Sequence, residues 1–288
     1  MKDFVLLTDS ACDIDTDTLK QNNVGFISLS LLFDGETKEI LNTEITAAEF
    51  YKRMRAGNTA KTSAVNIDGF KTFFEGYLKE GKDIVYLAFS SGLSTTCNSA
   101  KIAANELLEE YTERNIYIVD TLAASAGQGL LVMLAAKMAN DGKSAKEIVE
   151  YVESIKNNLC HWFTVDDLVY LKRGGRVSPT VAFVGGLLNI KPVLHVDNEG
   201  HLVSVSKVRG RKSAIKALAD RFGDLSTNLK SKDVFISHGD CRADADELKA
   251  IIEITYGATV SYITDVGPVI GAHSGPGSLA LFFIGKKR

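Results

Sequence analysis

The stretch DIVYLAFSSGLSTTCNSAKIAANELLEEYTERNIYIVDT, from Asp83 to Thr121, reads as strand, loop, helix and strand. Asp83–Ser91 and Asn115–Thr121 are short apolar runs rich in β-branched and aromatic residues, as strands are. Between them Ala100, Ala103, Ala104, Leu107, Leu108 and Tyr111 keep the i, i+3, i+4, i+7 spacing of a helix with one buried face. A helical crossover is what a parallel strand pair requires. The apolar runs are nearly continuous, which predicts a sheet covered by helices on both faces. In such sheets ligands bind beyond the carboxyl ends of the strands, where loops lead into helix N-termini.

Working outward, Phe4–Ser10 and Gly25–Phe33 read as further strands, and residues 68–81, 124–141 and 144–159 read as helices. The character then changes. HWFTVDDLVYLKRGGR (His161–Arg176) leads to a small-residue helix over Ser178–Asn189, and Lys191–Val208 form a hairpin turning at Asn198, Glu199 and Gly200. Asp233–Asp240, Ala258–Val266 and the run ending in Leu279–Ile284 supply more sheet, separated by helices over Lys212–Phe222 and Ala243–Tyr256. The expectation is an α/β chain of two domains. Residues 1–160 form a three-layer α/β/α unit with a parallel sheet, and residues 161–288 form a two-layer unit with a mixed sheet and helices on one side.

Composition narrows the function. The chain has 288 residues, 45% hydrophobic and 24% charged, with a formal net charge of −3. That balance gives no electrostatic reason to expect nucleic acid or an anionic membrane. The N-terminal apolar run is too short for a signal peptide and no stretch approaches a membrane span, so the cytoplasm is the expected location. Cys12, Cys97, Cys160 and Cys241 lack any C-x-x-C spacing and read as small buried apolar residues. Gly142–Ser144 and Gly275–Ala280 match fragments of nucleotide-binding motifs by letter only, because the first lacks its leading glycine and the second opens no helix. His238 and Asp240 have no third metal ligand nearby. No metal or cofactor is expected.

Three places carry candidate chemistry. Ser90, Ser91, Ser94, Thr95 and Thr96 crowd the strand-to-helix junction, where hydroxyls either cap the helix or receive an anion such as a carboxylate or phosphate. Thr62 and Ser63 sit in AKTSAVN (Ala60–Asn66), which reads as a loop before a helix. His273 and Ser274 lie among Gly267, Pro268, Gly271, Gly275, Pro276 and Gly277, a loop whose glycines allow close approach to a ligand. Ser94 with His273 would be the nucleophile and base of a hydrolase, although GLSTT lacks the last glycine of G-x-S-x-G. Arg173, Arg176, Arg209 and Arg211 concentrate positive charge that suits a solvated face or a docking patch.

In order, LLTDS at Leu6, KTS at Lys61, SSGLSTT at Ser90, VDT at Val119 and LKRGGRVS at Leu171 resemble the DegV family. LLNIKPVL at Leu187, KVRGRK at Lys207, ISHGD at Ile236 and GPVIGAHSGPGSLALFF at Gly267 extend the resemblance over essentially the whole chain. It implies a carrier that holds one long-chain fatty acid in a tunnel between two domains. The carrier presents the carboxylate to a separate fatty-acid kinase, which makes an acyl phosphate for phospholipid synthesis. By motif the carboxylate ligands fall on Thr62, Ser94 and His273, with Thr95 and Ser274 beside them. Kinase docking falls on Arg173 and Arg209, with Arg176 and Arg211 as near alternatives. The chain departs from the family pattern at Thr95, where glycine is usual, and at Ala64 and Val65, where Gln and Pro are usual. A carrier of this kind performs no chemistry alone. The other classes are a serine hydrolase of acyl substrates and a lipid storage or sensing protein without a kinase.

Overall fold

The computed structural model describes residues 3–177 and 189–288. The first half carries strands β1 (Phe4–Asp9), β2 (Val24–Ile27), β3 (Ser30–Phe33), β4 (Ile40–Leu41), β5 (Ala60–Ser63), β6 (Asp83–Ala88) and β7 (Ile116–Asp120). Its helices are α1 (Thr16–Gln21), α2 (Ala47–Arg55), α3 (Ile67–Lys79), α4 (Thr96–Glu110), α5 (Ser125–Asn140) and α6 (Ala145–Ile155). The second half carries β8 (Leu159–Thr164), β9 (Ile190–Val196), β10 (Leu202–Arg209), β11 (Val234–His238), β12 (Val260–Asp265) and β13 (Leu279–Ile284). Its helices are α7 (Val169–Arg173), α8 (Arg211–Leu225), α9 (Arg242–Ile251, continued by a π-turn over Ile252–Tyr256) and α10 (Pro268–Ser274).

β2, β1, β6 and β7 form an all-parallel sheet in that order. Leu7, Ile84 and Tyr86 pack on α3 and α4 through Phe70, Phe74, Ala100 and Leu107. Leu6, Val85 and Leu87, one residue out of phase, pack on α5 and α6 through Leu130, Leu131, Ile148 and Val152. Two buried faces explain why the strands lack alternation.

The second sheet is mixed, in the order β10-β9-β8-β13-β11-β12, with β11 and β12 parallel and the other pairs antiparallel. α8 and α9 cover one face, through Ile215, Leu218, Phe222 and Leu248 against Trp162, Ile236, Leu281 and Phe283. The opposite face turns Phe235 and Phe282 toward α5. That helix therefore lies between both sheets, which is why its first eight residues, Ser125–Val132, are all buried. Gly127 lets it fit, since a Cβ there would lie 2.2 Å from His161 Nε2.

The halves are tied at a second place. The Arg288 guanidinium donates to the carbonyls of Lys156 (2.7 Å), Leu122 (2.8 Å), Asp197 (2.9 Å) and Leu159 (3.0 Å). Nearby Ser90 Oγ donates to Gly200 O at 2.9 Å. Gly92 lies so close to the hairpin turn that a Cβ would meet Glu199 O at 2.7 Å.

Three expectations need correction. Gly25–Phe33 is two strands rather than one. Leu29 N–H donates to Ser10 Oγ and its carbonyl accepts from Asn42, so the chain leaves the parallel sheet there and joins an antiparallel one, β4-β3-β5. Apolar residues on both sides of the break hide it from periodicity. Ala60–Ser63 is a strand, β5, placing Thr62 opposite Leu31. His273 and Ser274 end a short helix, α10, rather than sitting in a loop. Pro268 occupies its first turn, where a fixed φ favours helix. Gly271 lets α10 pack on Phe50 and Tyr51, and Gly275 at φ 75° turns the chain out. The helix expected over Ser178–Asn189 falls almost wholly outside the described residues.

Candidate functional site

Between the two halves lies a cavity of about 250 Å³, lined from both. Leu29, Phe89 and Leu93 from the first half face Phe163, Leu171, Val269 and Phe282 from the second. Among the described residues the wall carries one formal charge, the Arg176 guanidinium, and no carboxylate. An apolar cavity whose described wall carries a single cation suits an apolar ligand with one anionic group.

Thr62, Ser94, Thr95, His273 and Ser274 all line this cavity. Thr62 is brought in by β5, Ser94 and Thr95 by the β6–α4 junction, and His273 by the last turn of α10. His273 Nε2 lies 2.8 Å from Thr62 Oγ1 across the two halves. With Nε2 protonated, the imidazole donates to Thr62 and leaves the threonine hydroxyl proton free for a ligand. Ser94 Oγ accepts from Thr96 N–H at 3.2 Å and lies 2.9 Å from Thr96 Oγ1. If Thr96 donates, Ser94 also has a proton to give. Thr95 is the N-cap of α4 but its side chain makes no cap hydrogen bond. It is exposed, so the cavity opens to solvent at this end. Ser274 is buried and donates to Ser278 Oγ at 3.2 Å.

The other hydroxyls of the junction are committed elsewhere. Ser90 is buried against Gly200, Ser91 is exposed with its N–H on Asp120, and Thr96 serves Ser94. The five-hydroxyl cluster thus resolves into two that face the cavity.

The four arginines separate as well. Arg173 is exposed on α7, with its guanidinium carbon 5.6 Å from the Tyr170 ring, and Arg209 is exposed at the end of β10. Arg211 is paired with Asp244 at 2.9 Å and Asp166 at 3.6 Å. Arg176 lines the cavity, donating to Leu93 O at 3.1 Å and to Gly174 O. Sequence reading placed Arg176 on the surface; only the approach of the Gly174 turn to His273, where a Cβ would meet Nδ1 at 2.1 Å, shows where it lies.

Burial pushes the His273 imidazole down to about 4, with the Arg176 cation contributing. The unfolded chain takes up this proton near pH 6.5. Stability present above 6.5 is therefore lost as pH falls from 6.5 toward 4, by up to about 3 kcal/mol. Asp13 acts oppositely: burial raises its carboxyl to about 7, so the folded state gains from protonation as pH falls through 7. In urea unfolding of the ligand-free protein, His273→Ala should lose less stability than the unaltered chain between pH 7 and 4. Identical pH slopes would remove His273 from this account.

No Ser–His–acid arrangement forms among the described residues. Ser94 is bonded to Thr96, His273 Nε2 to Thr62, and His273 Nδ1 has no partner. No group of three or more His, Cys, Asp or Glu residues is placed to hold a metal ion among the described residues. Nor is any described helix long and apolar enough to cross a membrane.

Residues 3–286 match the pattern of the family described as "Uncharacterised protein, DegV family". A DegV domain-containing protein of Clostridium perfringens is 46% identical over 99% of this chain and 98% of its own. Among solved structures, a Thermotoga maritima protein described as revealing fatty acid binding function is 30% identical. The match covers 98% of this chain and 99% of that one, with a TM-score of 0.83. A DegV family protein from Thermus thermophilus, described for its fatty acid binding, is 28% identical over 98% of this chain and 99% of its own, with a TM-score of 0.84. Match and fold agree over the full length, and the chain belongs to the DegV family.

Proposed function

We propose that this protein is a carrier for one long-chain fatty acid, which it presents to a separate fatty-acid kinase in the cytoplasm. The observation that carries the reading is a cavity shared by both halves, apolar along most of its described wall, with Thr62, Ser94, Arg176 and His273 all lining it and Thr62 bonded to His273. The fatty acid binding described for the Thermotoga and Thermus relatives supports it. In this reading residues 1–160 supply the hydroxyls, and residues 161–288 supply the histidine and close the tunnel.

Physical chemistry favours such a division. Moving an ionised carboxylate out of water costs several kcal/mol unless donors replace its hydration. The Thr62 and Ser94 hydroxyls, backed by His273 and Thr96, are such donors, and the Arg176 charge lowers the cost further. None of these groups encloses the carboxylate from the outer side, where exposed Thr95 stands. One oxygen stays open to attack the γ-phosphorus of ATP held by the kinase, breaking the bond to ADP and leaving an acyl phosphate. Arg173 immediately precedes Gly174, which packs on His273, and Arg209 ends β10; both are exposed and suit an acidic partner surface.

The test is acyl-phosphate formation by the loaded protein with kinase and ATP, trapped as hydroxamate. Ser94→Ala is expected to lower both fatty-acid retention and product, and Arg173→Ala with Arg209→Ala to lower product with the fatty acid still bound. Undiminished product from Ser94→Ala would refute the head-group assignment, and undiminished product from the double arginine variant would refute the docking surface. The hydrolase reading is disfavoured by the absence of a base bonded to Ser94 among the described residues.

A further inference from the structure

Thr62 and Ser94 both line the cavity, but the groups behind them differ. Among the described residues Thr62 Oγ1 has one neighbour able to donate to it, His273 Nε2 at 2.8 Å. Ser94 Oγ has two, and both belong to Thr96: the backbone N–H at 3.2 Å and the hydroxyl Oγ1 at 2.9 Å. Thr96 opens α4 and is fully buried, whereas Ser94 is half-buried at the cavity wall. The buried hydroxyl of Thr96 thus finds its hydrogen bond on the residue that faces the ligand.

Counting protons fixes the direction of these bonds once a carboxylate is present. A hydroxyl has one proton and two lone pairs. A carboxylate accepts only, so Ser94 must give it the Ser94 proton. The 2.9 Å contact is then made with the proton of Thr96. Both lone pairs of Ser94 are filled, one by the Thr96 N–H and one by the Thr96 hydroxyl. Ser94 is left as a donor only, and the run from Thr96 through Ser94 to the carboxylate polarises each bond in turn. Thr62 receives one bond, from His273, and keeps a lone pair. A ligand N–H aimed at Ser94 therefore meets no acceptor, which is unfavourable in a cavity. A primary amide, the neutral isostere of the carboxylate, fits only with its carbonyl on Ser94 and its NH2 on Thr62. That placement forfeits the bond donated by Thr62.

We propose that Thr96 is a specificity-determining positioning residue, which holds Ser94 as a donor only and so makes the site choose carboxylates over their primary amides. It concerns the head-group site of the carrier reading above and rests on that reading. The delipidated full chain is titrated with myristate and with myristamide, by displacement of a fluorescent fatty acid. Myristate is expected to bind more tightly. In Thr96→Val, which keeps the shape and loses the hydroxyl, Ser94 regains a lone pair for the amide while its bond to the carboxylate weakens. The myristate-to-myristamide affinity ratio is expected to fall about fivefold, the effect of about one hydrogen bond. Thr96→Ala should lower it likewise, and Thr96→Ser should restore it. The Arg176 charge favours the anion in every variant and leaves the comparison unaffected. A structural defect alone would weaken both ligands together and leave the ratio where it was. An unchanged or higher ratio in folded Thr96→Val and Thr96→Ala overturns the proposal while the carrier stands. A ratio that Thr96→Ser fails to restore overturns it as well, by assigning the effect to the methyl group. Failure of myristate to bind the unaltered chain overturns both readings.

Discussion

His273→Ala is expected to weaken binding of palmitate or oleate by about ten- to a hundredfold. Hydrogen bonds to charged groups contribute about 1.5–3 kcal/mol, which converts to that range of affinity. The loss has two sources. The imidazole stands 2.8 Å from Thr62 Oγ1 and fixes which way that hydroxyl points, so its removal frees Thr62 to turn away from the carboxylate. Among the described residues Nδ1, under Gly174, has no partner and Thr62 is the ring's one hydrogen-bond partner, so no other described group takes over its role. Stability at pH 7 should move by no more than about 1 kcal/mol, as for a change outside the main cores. Calorimetric titration of delipidated protein checks the first expectation and urea unfolding the second. Unchanged affinity in a folded variant would place the carboxylate elsewhere.

Arg288→Ala is expected to cost about 3–5 kcal/mol of stability, a large share of what a domain has. One guanidinium satisfies four carbonyls from three separate connections: β7–α5 at Leu122, α6–β8 at Lys156 and Leu159, and the hairpin turn at Asp197. Alanine leaves those carbonyls short of a donor in a place where burial already presses the Arg288 pKa down to about 10. Lysine should restore only part, since an ammonium on a flexible stem cannot reproduce the fork. The unfolding temperature is expected to fall by about 6–15 °C. A midpoint within a degree of the unaltered protein would show that the halves are held by α5 and the Ser90–Gly200 bond without this clasp.

How much of this could be read from residues alone differs by element. The βαβ unit over Asp83–Thr121 was plain, because strand and helix periodicities differ and each run was long enough to show its own. The break at Leu29 was not, since both sides of it are apolar and the cause is a hydrogen bond to Ser10, nineteen residues away. α10 was hidden by its own glycines and proline, which signal a turn locally but serve close packing on Phe50 and Tyr51. Thr62, Ser94 and His273 were legible as a set only through the resemblance to DegV proteins, because they come from three distant segments that the fold alone brings to one cavity. Arg176 was misplaced for the same reason: nothing in LKRGGR distinguishes the exposed Arg173 from the arginine three residues later that turns inward. His161, Ser125 and Ser237 gave no signal at all. Each is an ordinary residue in its strand or helix, and only the packing of α5 between two sheets makes them tunnel wall.

The central claim is that one fatty acid occupies the space between the halves. Mass spectrometry of organic extracts from protein purified without added lipid tests it most directly. The account predicts close to one equivalent of long-chain fatty acid per chain, and a large drop in that amount for His273→Ala. Extracts free of fatty acid, together with no uptake of palmitate or oleate by the purified protein, would contradict it.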